Sequence, residues 1–197
     1  MAVELRKGQK VSLEKHGVSI GEILINLNWS QPARRGLFSR APQPIDLDLG
    51  CLFELTNGSK GAVQALGNSF GSLSQAPFIS LDGDDRSGES AGGENLRING
   101  NMIPYIKRVL IYTFIYDGIA NWREANGVVT VKYPGSQDII VRMDEYGTTQ
   151  KMCAIALLEN VRNETFSVEK VVRFFDGHPQ MDRAFNWGLR WVPGKKD

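Results

Sequence analysis

Residues 45–55 read IDLDLGCLFEL, and this stretch decides the architecture. Ile45, Leu47 and Leu49 alternate with Asp46 and Asp48, the period of two that sends successive side chains to opposite faces of a β-strand. The same period runs through residues 22–29, EILINLNW, in Ile23, Ile25 and Leu27. Residues 106–116, IKRVLIYTFIY, form a longer apolar run rich in β-branched and aromatic side chains, which suits a central strand covered on both faces. Residues 127–133 and 138–143 flank a turn at 134–137, and residues 151–160 and 165–175 flank another at 161–164; both read as hairpins. Strands at this spacing predict an all-β fold, mainly an antiparallel β-sandwich, with one or two short helices near the C-terminus. Between Pro179 and Gly188 a helix is expected, with Met181, Ala184, Phe185 and Trp187 on its apolar face. Residues 151–158 also read as a buried helix, because an apolar run of that length fits either element.

The bulk properties narrow the function. A chain of 197 residues with 42% hydrophobic and 23% charged residues has the composition of a globular protein able to bury a core without disulfides. No internal repeat or linker divides it, so one domain spanning 1–197 is the default. The net charge of +1 gives no general attraction to nucleic acid. Cys51 and Cys153 form no CxxC pair, which leaves no zinc ribbon or dithiol redox motif. The N-terminal residues lack the apolar run of a signal peptide, and no stretch reaches the ~18 apolar residues of a membrane helix. A cytosolic protein with reduced thiols is the reading that follows.

Two segments break the strand pattern. Residues 30–44, SQPARRGLFSRAPQP, carry three prolines and three arginines and read as a basic loop insertion. Arg34, Arg35 and Arg40 are either a solvated loop or a docking element for an acidic partner or an anionic membrane surface. Residues 82–94, DGDDRSGESAGGE, hold Asp82, Asp84, Asp85, Glu89 and Glu94 among four glycines. Glycines let a backbone turn tightly and point carbonyls inward. Carboxylates together with free carbonyls suit calcium, which takes ~6–8 oxygen ligands. The segment is not an EF-hand: Arg86 takes the third ligand position, and Gly88 and Glu94 each fall one place late. In a strand Asp46 and Asp48 share a face, ~7 Å apart, and would repel on a half-buried surface unless a cation stood beside them. A solvated acidic turn and a calcium site completed by Asp46 and Asp48 are the two readings this pattern leaves.

These residues also carry a family resemblance. IDLDLGCLFEL resembles the acidic strand of the TerD family of tellurium-resistance proteins, and LDGDDRSG with GGENLRIN is similar to that family's calcium segment, most of all in its TerA-type form. GSKGAVQALGNSFGS, KMCAIALLENV and RAFNWGLRWV extend the similarity over nearly the whole chain. The resemblance implies a β-sandwich that binds one or two Ca2+ ions and works in a bacterial stress response. It implies partners among other tellurium-resistance proteins, in a membrane-associated complex that would hold the chain at the inner face of the membrane. Carried over by position, Asp84 and Asp85 fall in the first acidic motif, Glu94 in the second, and Asp46 and Asp48 in the acidic strand. The second motif supplies one carboxylate where the family has consecutive ones, which puts the second ion in question.

No catalytic constellation emerges. There is no G-x-S-x-G elbow and no P-loop. His178 lies near Asp176 and Asp182, and Cys51 sits beside the acidic pair. The competing class is therefore a thiol- or metal-dependent enzyme acting on oxyanions or phosphate esters, which would require an exposed, acidic Cys51.

Overall fold

The alternation in residues 45–55 becomes a ten-residue strand, β4 (Asp46–Leu55), at the centre of a β-sandwich. The computed structural model describes residues 2–14, 19–31, 45–82, 93–117, 122–143 and 148–192. Before β4 come β1 (Val3–Glu4), β2 (Lys10–Ser12) and β3 (Glu22–Asn28). After it come β5 (Lys60–Gln64), β6 (Gly71–Ser72), β7 (Ile79–Leu81), β8 (Glu94–Asn99) and β9 (Ile106–Asp117). The hairpins are β10 (Val128–Lys132) with β11 (Ile139–Arg142), and β12 (Met152–Val161) with β13 (Thr165–Phe175). Among the described residues two short α-helices are α1 (Trp122–Ala125) and α2 (His178–Ala184), and a 3-10 helix spans Gly100–Tyr105.

Seven strands form one sheet in the order β1-β11-β10-β3-β8-β7-β6, and six form the other in the order β2-β13-β12-β9-β4-β5. All neighbours are antiparallel except β1 against β11. Each sheet turns its alternate apolar residues inward: Ile23, Ile25 and Leu27 of β3 and Leu96 and Ile98 of β8 meet Leu47, Leu49 and Cys51 of β4. Burying whole aliphatic side chains contributes about 1.5–3 kcal/mol each, so this seam dominates the stability of the sandwich.

The six-stranded sheet is apolar on both faces, as the unbroken run of β9 demands. Its outer face carries Leu52, Leu110, Tyr112, Phe114 and Met152, covered by Met181 of α2 and by Trp187. The expected apolar face of Met181, Ala184, Phe185 and Trp187 is present, but the helix ends at Ala184. Asn186 and Gly188 take positive φ there, which no helix continues. Arg108 latches this segment down: it donates to the carbonyls of Phe185 and Asn186 and lies 3.8 Å from the Trp187 ring centre. Glu54 holds Arg108 and Lys107 in place. Burial pushes the Glu54 carboxyl up, but hydrogen bonds from Lys107 and Arg108 outweigh it and hold the group below its usual range.

Two expectations need correction. Residues 151–158 are strand, not helix, because β12 is paired on both sides by β9 and β13 and is apolar on both faces. Glu94 does not end a loop but opens β8, whose six residues were too short a period to stand out. The helix α2 lies near the C-terminus as expected, and α1 lies mid-chain between β9 and β10.

Candidate metal centre at the edge of β4

The acidic half of β4 is an edge. β5 pairs with Gly50–Glu54 only, so residues 46–49 have no strand on that side. A bare strand edge leaves backbone donors to be satisfied by side chains or water. Here Glu94 crosses from the other sheet, and its Oε2 accepts a hydrogen bond from the Leu49 N–H. One residue earlier in that strand, Asp48 is sealed from solvent (0% exposed), and Glu94 is 2% exposed. The start of β4 is clamped as well: Trp29 Nε1 and Gln31 Nε2 donate to the Ile45 carbonyl at 3.0 and 2.9 Å, and Ile45 N–H donates to Gln31 Oε1.

Gly93 sets the position of Glu94. Its φ is +62°, and a Cβ on it would stand 2.1 Å from the Leu27 carbonyl oxygen, so no larger residue fits without moving β3. Beside it runs a ladder of amides: Asn28 Nδ2 donates to Asn26 Oδ1, and Asn26 Nδ2 donates to Asn95 Oδ1 at 2.8 Å. These asparagines, and the Trp29–Gln31 clamp, escaped the sequence reading. A run of polar residues at alternate positions facing out of a sheet looks like ordinary solvent exposure until the register of β3 and β8 aligns them.

Not all expected ligands gather here. Asp46 shares the outward face of β4 with Asp48 and is half-buried. Asp82 follows β7 and is engaged elsewhere: Arg97 Nε donates to both of its oxygens, at 2.7 and 2.8 Å, while Arg97 Nη1 pairs with Glu22. Hydrogen bonds to Asp82 and then Glu22 raise the Arg97 pKa further. Asp84 and Asp85 lie outside the described residues, as do Arg34, Arg35 and Arg40 of the basic segment. Among the described residues no three His, Cys, Asp or Glu side chains stand close enough to hold a metal on their own.

The donor set nonetheless fits a hard cation. Asp46 Oδ1, Asp48 Oδ2 and Glu94 Oε1 are buried oxygens that accept no hydrogen bond, although each side chain keeps other contacts. Oxygens of this kind, at the root of an acidic loop, match calcium chemistry better than the nitrogen and sulfur preferences of zinc. The thiols fit no metal or redox role: Cys51 and Cys153 are buried in the core, and burial pushes the Cys51 thiol up to about 12. His178 makes no pair with Asp182, whose carboxylate instead accepts from Gly188 N–H, Leu189 N–H and Trp191 Nε1.

Residues 1–165 match the TerD domain. The chain belongs to the TerD family. Tellurium resistance protein TerA from Alcaligenes sp is 44% identical over 95% of this chain and 58% of that protein. Tellurium resistance protein TerD from Serratia marcescens is 29% identical over 66% of this chain and 65% of its own length. The chain thus spans about three fifths of the length of these TerD-family relatives. The crystal structure of a homologue of telluride resistance protein (TerD) from Streptomyces coelicolor A3(2) covers 81% of this chain and 93% of its own, at 19% identity and a TM-score of 0.58. A likeness of that degree shows a shared TerD-type sandwich. The match to the family, and within it to a TerA protein, agrees with the resemblance drawn from the acidic strand and the 82–94 segment. Among the described residues no helix is long and apolar enough to cross a membrane.

Proposed function

We propose that the chain is a calcium-binding interaction module of tellurium resistance. In this reading the ion's ligands come from Asp46, Asp48 and Glu94 of the sandwich together with Asp84 and Asp85. The single observation that carries the reading is that Glu94, a buried carboxylate of the other sheet, takes the Leu49 N–H at the unpaired edge of β4, next along the chain from the buried Asp48. Burying a charged carboxylate is costly, and a divalent cation offsets that cost. Asp82 stays with Arg97 and outside the set. One ion is proposed.

The bound ion would complete a face offered to partners. Those partners would be other tellurium-resistance proteins, in a complex at the cytoplasmic side of the membrane, with Arg34, Arg35 and Arg40 as the basic contact. A thiol-based activity has the burial of Cys51 against it.

The deciding experiment is calcium titration of the chelator-stripped protein by calorimetry, with magnesium as the control and thermal stability followed in parallel. Saturable binding of one calcium, a raised midpoint and little response to magnesium are expected. Asp84→Ala with Asp85→Ala should weaken binding at least about tenfold, or 1.4 kcal/mol. Heat of binding unchanged in that double variant would overturn the assignment.

A further inference from the structure

On the outer face of the six-stranded sheet a cavity of about 510 Å³ opens between the end of β5 and the segment after α2. Small-molecule sites are concave, mostly apolar and furnished with a few fixed polar groups, within ~300–1,000 Å³. This cavity has that composition. Leu66 and Pro179 supply apolar wall, and Trp191 supplies an aromatic one.

The wall is built to be rigid. Trp191 is held by its indole N–H on Asp182 Oδ2 and by its ring against His178, at 4.6 Å between centroids. His178 in turn sits edge-on to Tyr112 and Phe114, both at 5.4 Å. Gln64 fixes the floor: its Nε2 donates to the Leu66 carbonyl at 3.0 Å, which turns Oε1 toward Tyr112 and His178. That Oε1 accepts from Tyr112 Oη–H and from His178 Nε2–H. The amide orientation therefore assigns the His178 proton to Nε2. Gly50 makes room for this arrangement, since a Cβ there would meet the Tyr112 ring at 2.8 Å. None of these contacts is needed to close the sandwich core, which lies on the sheet's other face.

Arg190 stands at the mouth, exposed, in no hydrogen bond or ion pair among the described residues. A guanidinium is a planar fork that matches a carboxylate with two parallel bonds. An apolar, aromatic-walled cavity with, among the described residues, one uncommitted cation at its rim selects a flat apolar body carrying one negative charge. We infer that this cavity binds an aromatic monocarboxylate, its ring against Trp191 and Leu66 and its carboxylate on Arg190. The site is independent of the calcium proposal.

The test uses the full chain with 2-naphthoate as the probe, following the Trp191 indole N–H resonance. Two comparison compounds separate the contributions: 2-naphthalenemethanol has the ring without the charge, and acetate the charge without the ring. Saturable movement of the Trp191 signal by 2-naphthoate, with much weaker response to either comparison compound, is expected. Arg190→Gln, an exposed change that leaves the wall intact, should weaken binding roughly tenfold, the effect of losing one charge-assisted contact. No saturable movement up to about 10 mM, the weak end of specific affinity, overturns the proposal. So does equal binding of 2-naphthalenemethanol, or an Arg190→Gln variant that binds 2-naphthoate as the parent does.

Discussion

The strand edge at Asp46–Leu49 and the cavity behind His178 are both polar interruptions of an apolar sandwich, yet they are assembled in opposite ways. The edge is built from short acidic segments that announce themselves: two carboxylates two residues apart in a strand, and a loop of carboxylates and glycines. The cavity draws Gln64, Tyr112, His178 and Trp191 from four separate stretches, none of which has a distinctive local pattern. At the edge, charge is concentrated and invites an ion. In the cavity, Gln64, Tyr112 and His178 satisfy one another, so what remains to offer a ligand is shape and the charge of Arg190. The first region should respond to cations and little to packing; the second should do the reverse.

The largest effect expected from breaking this division is at Trp187, which is 1% exposed, donates from Nε1 to the Phe53 carbonyl at 3.0 Å and lies under the Arg108 guanidinium. Trp187→Ala should cost about 3–5 kcal/mol in denaturant unfolding, the range for emptying a large aromatic site. Because Trp187 is anchored at Phe53, five residues along β4 from Asp48, calcium affinity measured below the lowered melting point should stay within about twofold of the parent. A calcium affinity that collapses along with stability would show that the two regions are one cooperative unit.

His178 gives the next largest effect, read through pH. Burial lowers its pKa to about 4 from an ordinary 6.5. Above pH 6.5 the ring is neutral in folded and unfolded chains alike, and its full contribution to stability is present. As pH falls from 6.5 toward 4, the unfolded chain takes up a proton that the folded chain refuses, so stability is lost across that window. The loss for one group is on the order of 3 kcal/mol, at 1.36 kcal/mol per pH unit between the two pKa values. Unfolding measured at intervals between these pH values should show the decline in the parent, and a shallower one in His178→Gln. The rings of Tyr112, Phe114 and Trp191 surround His178, with Arg190 at the cavity mouth; none of them replaces the histidine as a proton acceptor in this range. An identical slope in the variant would assign the acid sensitivity to carboxylates instead.

How far each region was legible follows from its construction. The alternation of Leu47 and Leu49 with Asp46 and Asp48 specifies a strand and its two faces, and the structure keeps both. What local pattern cannot supply is which strand stops short. The exposure of the Leu49 N–H depends on β5 ending opposite Gly50, a matter of register fixed by the turn at 56–59 and by the Glu54–Lys60 pairing. Asp82 was grouped with the loop carboxylates because it precedes them by two residues, yet Arg97, fifteen residues on, reaches it across the β7–β8 pairing. The cavity was unreadable for the same reason in stronger form: His178 and Trp191 carry no signal until the chain folds Gln64 beneath them.

Glu94 sharpens the comparison with a smaller effect. Glu94→Gln keeps an oxygen to accept from Leu49 N–H and removes one charge from the edge. Without metal, unfolding should move little or shift toward greater stability, since a buried negative charge is gone. Calcium affinity should fall roughly tenfold. A large loss of stability in the stripped protein, with calcium affinity unchanged, would make Glu94 a structural cap on the edge and not a ligand.

The smallest effect separates Asp82 from the other carboxylates. Arg97 and Asp82 are each about one third exposed, so their pairing is screened and contributes at most about 1 kcal/mol to stability. Arg97→Ala should therefore leave folding nearly unchanged while releasing both Asp82 oxygens. If Asp82 lies outside the metal set, calcium affinity stays at the parent level, because nothing orients the freed carboxylate toward Asp48 and Glu94. If Asp82 is a ligand held in reserve, the affinity rises, since calcium gains a further charged oxygen at the near root of the loop. Calorimetry of this one variant distinguishes the two, and the second outcome would extend the metal set across β7 and make Arg97 a competitor for the ion's ligand.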